Sequence, residues 1–249
     1  MLNKMGYYDY QNGLIYRHLN QAGGWDEHLK RCRSFILSAL DFYNPDKVSI
    51  LGSGWLLELP LTEMLEKTNK VCLIDIVHPP EVINQAGKLE NVELIELDVT
   101  GGLIEEVWKK SGKYSFFNRL QSLASINIPE YIPETDPGMV ISLNILTQLE
   151  SLLVDFLRKK SKIREDDFIC LRTLIQKKHI DFLKKYNSVL ITDTEEIFTD
   201  NSGKVTVNLT VLADLPLGQF EEEWDWNFDL VRSDYYKKRS VLKVVALIV

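Results

Sequence analysis

The chain has 249 residues, 45% of them hydrophobic, with 29 Lys and Arg against 36 Asp and Glu for a formal net charge of -7. That composition fits a soluble globular protein able to bury a substantial core, and its negative balance would repel a phosphate backbone, so no nucleic-acid partner is expected. No apolar stretch resembles a signal peptide or a bilayer span, which predicts a cytoplasmic protein with no membrane partner.

Residues 1–45 predict a helical N-terminal segment. Its first part, "YYDYQNGLIYRHLNQAGGW" over 7–25, is rich in aromatics. Packing against a sheet is the expectation there; the alternative is a cover over a pocket through Tyr16, His18 or Trp25. Residues 26–42 then place Leu29, Cys32, Phe35, Ile36, Ala39 and Leu40 on one helical face. "NPDK" at 44–47 ends that helix. Four short apolar runs follow, "KVSIL" at 47–51, "VCLID" at 71–75, "VELIELD" at 92–98 and "GMVISLN" at 138–144, with helix-length stretches between them. Short apolar strands alternating with helices imply a parallel sheet covered on both faces, a doubly wound, Rossmann-like α/β architecture. Two further helices are predicted at 146–160 and about 165–186. The C-terminal third supplies strands at 188–198, 204–215 and 240–249, the first two joined by a hairpin turn at 200–204. The sheet therefore ends in antiparallel strands. "GQFEEEWDWNF" at 218–228 is the only candidate for a last crossover helix. No linker divides the chain, so 1–249 reads as a single domain. Cys32, Cys72 and Cys170 predict buried free thiols, and the four histidines make no ligand-spaced pair, so no metal is expected.

The first strand runs into "GSGWLLELPL" over 52–61. Gly52 and Gly54 sit where open α/β sheets bind ligands, at the carboxyl end of a strand. Asp75 ends the second strand about 20 residues on, the spacing of a carboxylate that takes a ribose diol, and Asp98 ends the third in the same register. Either acid can instead cap a following helix. A dinucleotide is disfavoured, because Leu57 stands at the third glycine position of GxGxxG and Pro60 delays the helix whose N-terminus would meet a pyrophosphate.

The order Gly-Ser-Gly, Asp75, Asp98, "ISLN" resembles the class I S-adenosylmethionine-dependent methyltransferases, over roughly residues 47–157. The resemblance implies a Rossmann-like seven-stranded sheet with a late antiparallel strand, S-adenosylmethionine as cofactor and a small-molecule substrate. It implies that Gly52, Ser53 and Gly54 meet the methionyl part, and that Asp75 with Ile76 meets the ribose. Asp98 with Val99 would flank the adenine, and 142–144, Asn144 above all, would border the sulfonium and the substrate. On this reading 46–160 is the cofactor-binding core and 161–249 the C-terminal half of the sheet. Two positions depart from the family pattern: Ile50 replaces an acid, and Leu56 a small residue. Glu58 is the substitute acid for the methionyl ammonium, or else a solvated or capping residue. No catalytic residue is singled out, since aligning a reactive nucleophile with the methyl group needs little acid–base help.

Residues 116–138, with Pro129, Pro133 and Pro137, are long for a helix-to-strand connection and suggest a substrate-recognition insertion or a surface excursion. The acidic, aromatic tract 221–236 packs a sheet edge or serves a partner. Two other functions stay open. One is an NAD-dependent oxidoreductase, with Tyr43 and Lys47 at the Tyr-x-x-x-Lys spacing. The other is a scaffold that has lost its cofactor.

Overall fold

The computed structural model describes residues 1–21, 23–111, 120–200, 202–231 and 239–249. Three helices open the chain: α1 (Leu2–Met5), α2 (Tyr7–Leu19) and α3 (Asp26–Tyr43). Strands and helices then alternate through β1 (Lys47–Leu51), α4 (Leu61–Lys67), β2 (Lys70–Asp75), α5 (Pro80–Ala86), β3 (Val92–Glu96), α6 (Leu103–Ser111) and β4 (Met139–Leu143). Helices α7 (Gln148–Lys160) and α8 (Glu165–Leu183) precede four strands, β5 (Ser188–Thr199), β6 (Val205–Leu209), β7 (Glu221–Asp229) and β8 (Arg239–Ile248).

The strands form one sheet in the order β3-β2-β1-β4-β5-β8-β7, with β6 paired to β5. Strands β1 to β5 pair in parallel. β8 is antiparallel to both β5 and β7, so β7 points the same way as β5. Set aside the short β6, and the sheet is a seven-stranded, Rossmann-like α/β sheet with one reversed strand near its end. Alternate residues of each strand enter opposite cores, which is why the strands read as unbroken apolar runs. Val48, Ile50, Leu73 and Ile141 join α3 and α4 on one face, while Leu51, Ile74, Val140 and Leu190 join α6, α7 and α8 on the other. Among the described residues no helix is long and apolar enough to cross a membrane, and no group of His, Cys, Asp and Glu has metal-binding geometry.

Several expectations need correction. Residues 221–229 form strand β7 and not a crossover helix. Trp224, Trp226 and Phe228 are buried while the residues between them are exposed, a period of two that a helix cannot satisfy. The rest of the tract, 232–236, lies outside the described residues, as does 116–119 of the suspected insertion. The predicted strand over 204–215 stops at Leu209. Cys170 lies exposed on α8 and is not a buried thiol.

β5 is the longest strand, and its length shapes the molecule. β8 follows one edge of it from Val189 to Thr199. On the other edge β4 pairs only with 188–191, and β6 takes over at Glu195–Thr199. The β5–β6 hairpin therefore overhangs the carboxyl end of β4. Gln176 of α8, fully buried, pins its exit. Its amide donates to Thr210 O at 2.9 Å, and its oxygen accepts the N–H groups of Leu212 at 2.7 Å and Ala213 at 3.3 Å. Replacing Gln176 with Leu leaves the N–H groups of Leu212 and Ala213 without this acceptor, at about 1–3 kcal/mol for each one that stays buried, while Thr210 O keeps Arg172 at 3.4 Å. Urea unfolding of Gln176→Leu is expected to show a loss of about 2–4 kcal/mol. Amide exchange should quicken first at Leu212 and Ala213; unchanged exchange there would show that other contacts hold the hairpin.

Candidate functional site

The carboxyl ends of β1, β2, β4 and β5 open into a cavity of about 1450 Å³, larger than the ~300–1,000 Å³ usual for one small ligand. The glycine turn forms its floor. Gly52 has φ +81°, its N–H donates to Ile74 O at 2.9 Å, and a Cβ there would stand 2.8 Å from both Leu143 O and Ile145 Cβ. Its lack of a side chain is required by the packing of β1 against β4. Gly54, at φ +50°, is different: a Cβ there would meet only Gly52 O, at 3.9 Å. The cavity lies on that open side. Ser53 is buried, does not border the cavity, and its hydroxyl has no hydrogen-bond partner among the described residues.

Asp75 holds this turn in place. Its Oδ2 accepts the Gly54 N–H at 2.8 Å, and its Oδ1 accepts the Ile76 N–H at 2.8 Å and Gln11 Nε2–H at 3.4 Å. Burial pushes the carboxyl's pKa up, and the backbone amides act against that rise. The backbone N–H of Val77 also bonds the carboxylate, so its acceptor positions are filled, most weakly by Gln11 at 3.4 Å. Asp98 spends its oxygens within its own loop: Oδ1 takes the Thr100 N–H at 2.9 Å and the Thr100 hydroxyl, and Oδ2 takes the Ile104 N–H at 3.2 Å. It thereby caps α6, and Thr100 shields it. Asp98, Val99, Ile76, Glu58 and Asn144 all border the cavity. Helix α2 borders it too, through Tyr10, Gln11, Leu14 and Tyr16. It lines one side of the cavity, and the segment also packs against the sheet as expected: Gln21 and Trp25 donate to Phe228 O of β7 at 2.6 and 3.1 Å, and Trp25 packs on Trp226 and Phe228. Trp55 Nε1–H donates to Gln11 O at 2.9 Å and fastens α2 to the glycine loop. Of the three side chains named for a cover, Tyr16 and Trp25 border the cavity and His18 does not. Residues 120–138 do not border it either; Pro129 and Tyr131 lie over His179 instead.

The sequence reading missed His28. Its ring is buried and stacks on Trp226 at 3.7 Å with planes 3° apart. Trp224 Nε1–H, which can only donate, points at His28 Nδ1 from 3.0 Å. Nδ1 is therefore the acceptor and the neutral ring carries its proton on Nε2. The Asn144 side-chain amide lies 3.2 Å from Nε2 and Glu58 Oε1 lies 3.9 Å away. Glu58, a hydrogen-bond partner of the ring, and Cys32 Sγ at 3.5 Å also face Nε2, so the proton there has acceptors besides Asn144. Burial lowers the His28 pKa, with Glu58 acting in the opposite direction. Asn144 itself has φ +50° and hangs from Ile191 O through its N–H at 2.8 Å.

Asp193 was also missed, because it falls inside the strand expected over 188–198 and not at its end. It sits buried at the bulge of β5 and accepts the Thr147 hydroxyl at 2.7 Å. Glu196, farther along the hairpin, accepts the Ser240 hydroxyl at 2.6 Å. Burial raises the pKa of both, and both border the cavity.

No family model matches the sequence, and no curated protein matches it. Among solved structures, a DhpI–SAH complex is similar at 10% identity over 98% of this chain and 96% of that one, with a TM-score of 0.38. Precorrin 8w decarboxylase from Methanobacterium thermoautotrophicum is similar at 14% identity over 84% and 87%, with a TM-score of 0.27. At such scores neither likeness carries an argument; the fold class rests on the sheet itself.

Two of the three buried imidazoles give a pH test. His179, 2.8 Å from Ser142 Oγ, has its pKa lowered to about 4 by burial, and His28 is lowered as well. A histidine with a depressed folded pKa stabilises the fold above its unfolded pKa of about 6.5. That stability is lost as pH falls toward the folded value, by about 1.4 kcal/mol per unit. The buried carboxylates with raised pKa act in the opposite sense, so ring titration is the cleaner readout. The His179 ring is expected to stay neutral by NMR at about pH 5.5, and the neutral His28 ring to show the Nε2–H tautomer. An Nδ1–H signal from His28 would overturn its bond from Trp224.

Proposed function

We propose that the protein is an S-adenosylmethionine-dependent methyltransferase acting on a small molecule. The observation that carries the proposal is the glycine turn, tied to Asp75 and open at Gly54 onto a cavity roomy enough for a nucleoside and a second molecule. The donor set fits that group. Asp75, which borders the cavity, would meet a ribose hydroxyl beside Ile76 in exchange for the long Gln11 bond, and Gly54 leaves space for the methionyl chain next to Gly52. Glu58, which borders the cavity, can meet the methionyl ammonium. Val99 and Asp98 would flank the adenine, and Asn144 would stand nearest the reacting centre. Bound there, the cofactor supplies an electrophilic methyl group. The chain's contribution is to bind, orient and exclude water, with Asn144 held by His28.

The oxidoreductase reading loses support. Tyr43 donates its hydroxyl to Val249 O at 3.0 Å, and Lys47 Nζ donates to Asp136 O at 2.7 Å. Lys47 also starts β1, at the amino end of the strand, away from the cavity. Helix α4 begins only at Leu61, so its N-terminus is remote from the glycines. The scaffold reading is favoured by one observation, the engagement of Asp98 within its own loop.

Calorimetric titration with S-adenosylhomocysteine, with NAD in a parallel cell, separates these readings. Saturable micromolar binding of S-adenosylhomocysteine alone is expected. Asp75→Ala should weaken it at least tenfold, an effect of about 1.4 kcal/mol or more. Asp75→Asn, which can still accept the Gly54 N–H, controls for collapse of the loop. NAD binding alone would restore the oxidoreductase, and no binding of either ligand would leave the scaffold.

A further inference from the structure

Gln11 is the side chain by which α2 reaches Asp75, and the contact is a poor one. Its Nε2–H donates to Asp75 Oδ1 at 3.4 Å, at the outer limit of a hydrogen bond, while the N–H groups of Gly54 and Ile76 reach the same carboxylate at 2.8 Å. The amide cannot be turned round, because an ionised carboxylate only accepts and would repel Oε1 in that place. Gln11 Oε1 is left buried with no hydrogen-bond partner among the described residues, and a buried acceptor without a donor is costly. Both Gln11 and Asp75 border the cavity. The backbone of Gln11 is held separately, since its carbonyl oxygen takes the Trp55 indole N–H at 2.9 Å. The side chain can therefore turn without releasing the helix.

The two side chains call for one kind of partner. Asp75 Oδ1 takes a donor, Gln11 Oε1 lacks one, and Gln11 Nε2–H needs a nearer acceptor than it has. A vicinal diol supplies all three. One hydroxyl donates to Asp75 and accepts from Gln11 Nε2, and its neighbour donates to Gln11 Oε1. A lone hydroxyl on Asp75 leaves Oε1 unpaired, and an ammonium offers Nε2 no acceptor. A hydroxyl oxygen that bridges Nε2 and Oδ1 with ordinary bond lengths holds them about 4.5 Å apart. The pair must then part by about 1 Å, a movement within the reach of a glutamine whose backbone stays in place.

We infer that Gln11 is a ligand-binding residue that clamps a vicinal diol together with Asp75, the diol being the ribose of a nucleoside, and that the long Gln11–Asp75 bond is the resting form of this clamp. The identity of the nucleoside rests on the function proposed above; the diol does not.

The test is calorimetry of the wild-type chain and of Gln11→Met with S-adenosylhomocysteine, its 2′,3′-dideoxy analogue and NAD. Methionine keeps the length and helix propensity of the side chain and removes both polar atoms. The wild type is expected to bind the dideoxy analogue at least about thirtyfold more weakly than S-adenosylhomocysteine. Gln11→Met should weaken S-adenosylhomocysteine about tenfold and leave the dideoxy analogue within about twofold of wild type. Equal weakening of both ligands overturns the clamp, because the effect would then lie in the placement of α2 and not in the diol. Unchanged binding of S-adenosylhomocysteine to Gln11→Met overturns it as well, and leaves the methyltransferase standing. Binding of NAD alone, with the same dependence on Gln11, sinks the methyltransferase and keeps the clamp. No binding of any of the three sinks both.

Discussion

One carboxylate joins the parts of this molecule that matter most to its site. Asp75 stands at the end of β2, takes the Gly54 N–H from the loop after β1, and takes the Gln11 amide from helix α2. Burying that charge would be costly without partners. Its N–H donors offset the cost, and charge-assisted bonds of this kind are stronger than neutral ones. The arrangement is also directional. It sets the path of the glycine turn, and through Gln11 and Trp55 it sets where the N-terminal helix lies.

A second constraint comes from β5. Because it runs on to Thr199, well past Leu143 at the end of β4, the sheet does not end level on that side of the crevice. The backbone groups freed at the end of β4 are replaced on the same edge by those of β6. The hairpin thus stands as a wall without leaving β5 unpaired. The opposite wall is α2. Between them lies a cavity whose floor is backbone and whose sides are side chains.

Much of this was legible in the sequence. The strands that end in Leu51, Asp75 and Leu143 are buried on both faces, so their apolar runs stand out and their bounds are nearly right. Helix α3 was legible for the complementary reason, a single apolar stripe. The tract at 221–229 was misread because acids and aromatics alternate there without β-branched residues, and the period of two had to be weighed against a family expectation of a helix. Among site residues, the two glycines and Asp75 could be found because each stands at the end of a strand whose apolar run is plain in the sequence. His28 could not be found that way. Its significance comes from Trp224, Trp226 and Asn144, all distant in sequence, and a lone histidine on an apolar helix face gives no hint of them. Asp193 was hidden for another reason: it lies inside a strand, at a bulge that the sequence does not announce.

The cluster around His28 has an optical consequence. Trp224 gives its indole proton to that imidazole, Trp226 lies flat against it, and Trp25 meets Trp226 edge to face at 4.8 Å. Three of the protein's five tryptophans are therefore linked to one titratable ring, two directly and Trp25 through Trp226, and of these Trp25 and Trp226 border the cavity. A change in the charge or tilt of that ring alters the surroundings of these indoles together, so the chain carries indoles of its own between a buried imidazole and the cavity wall.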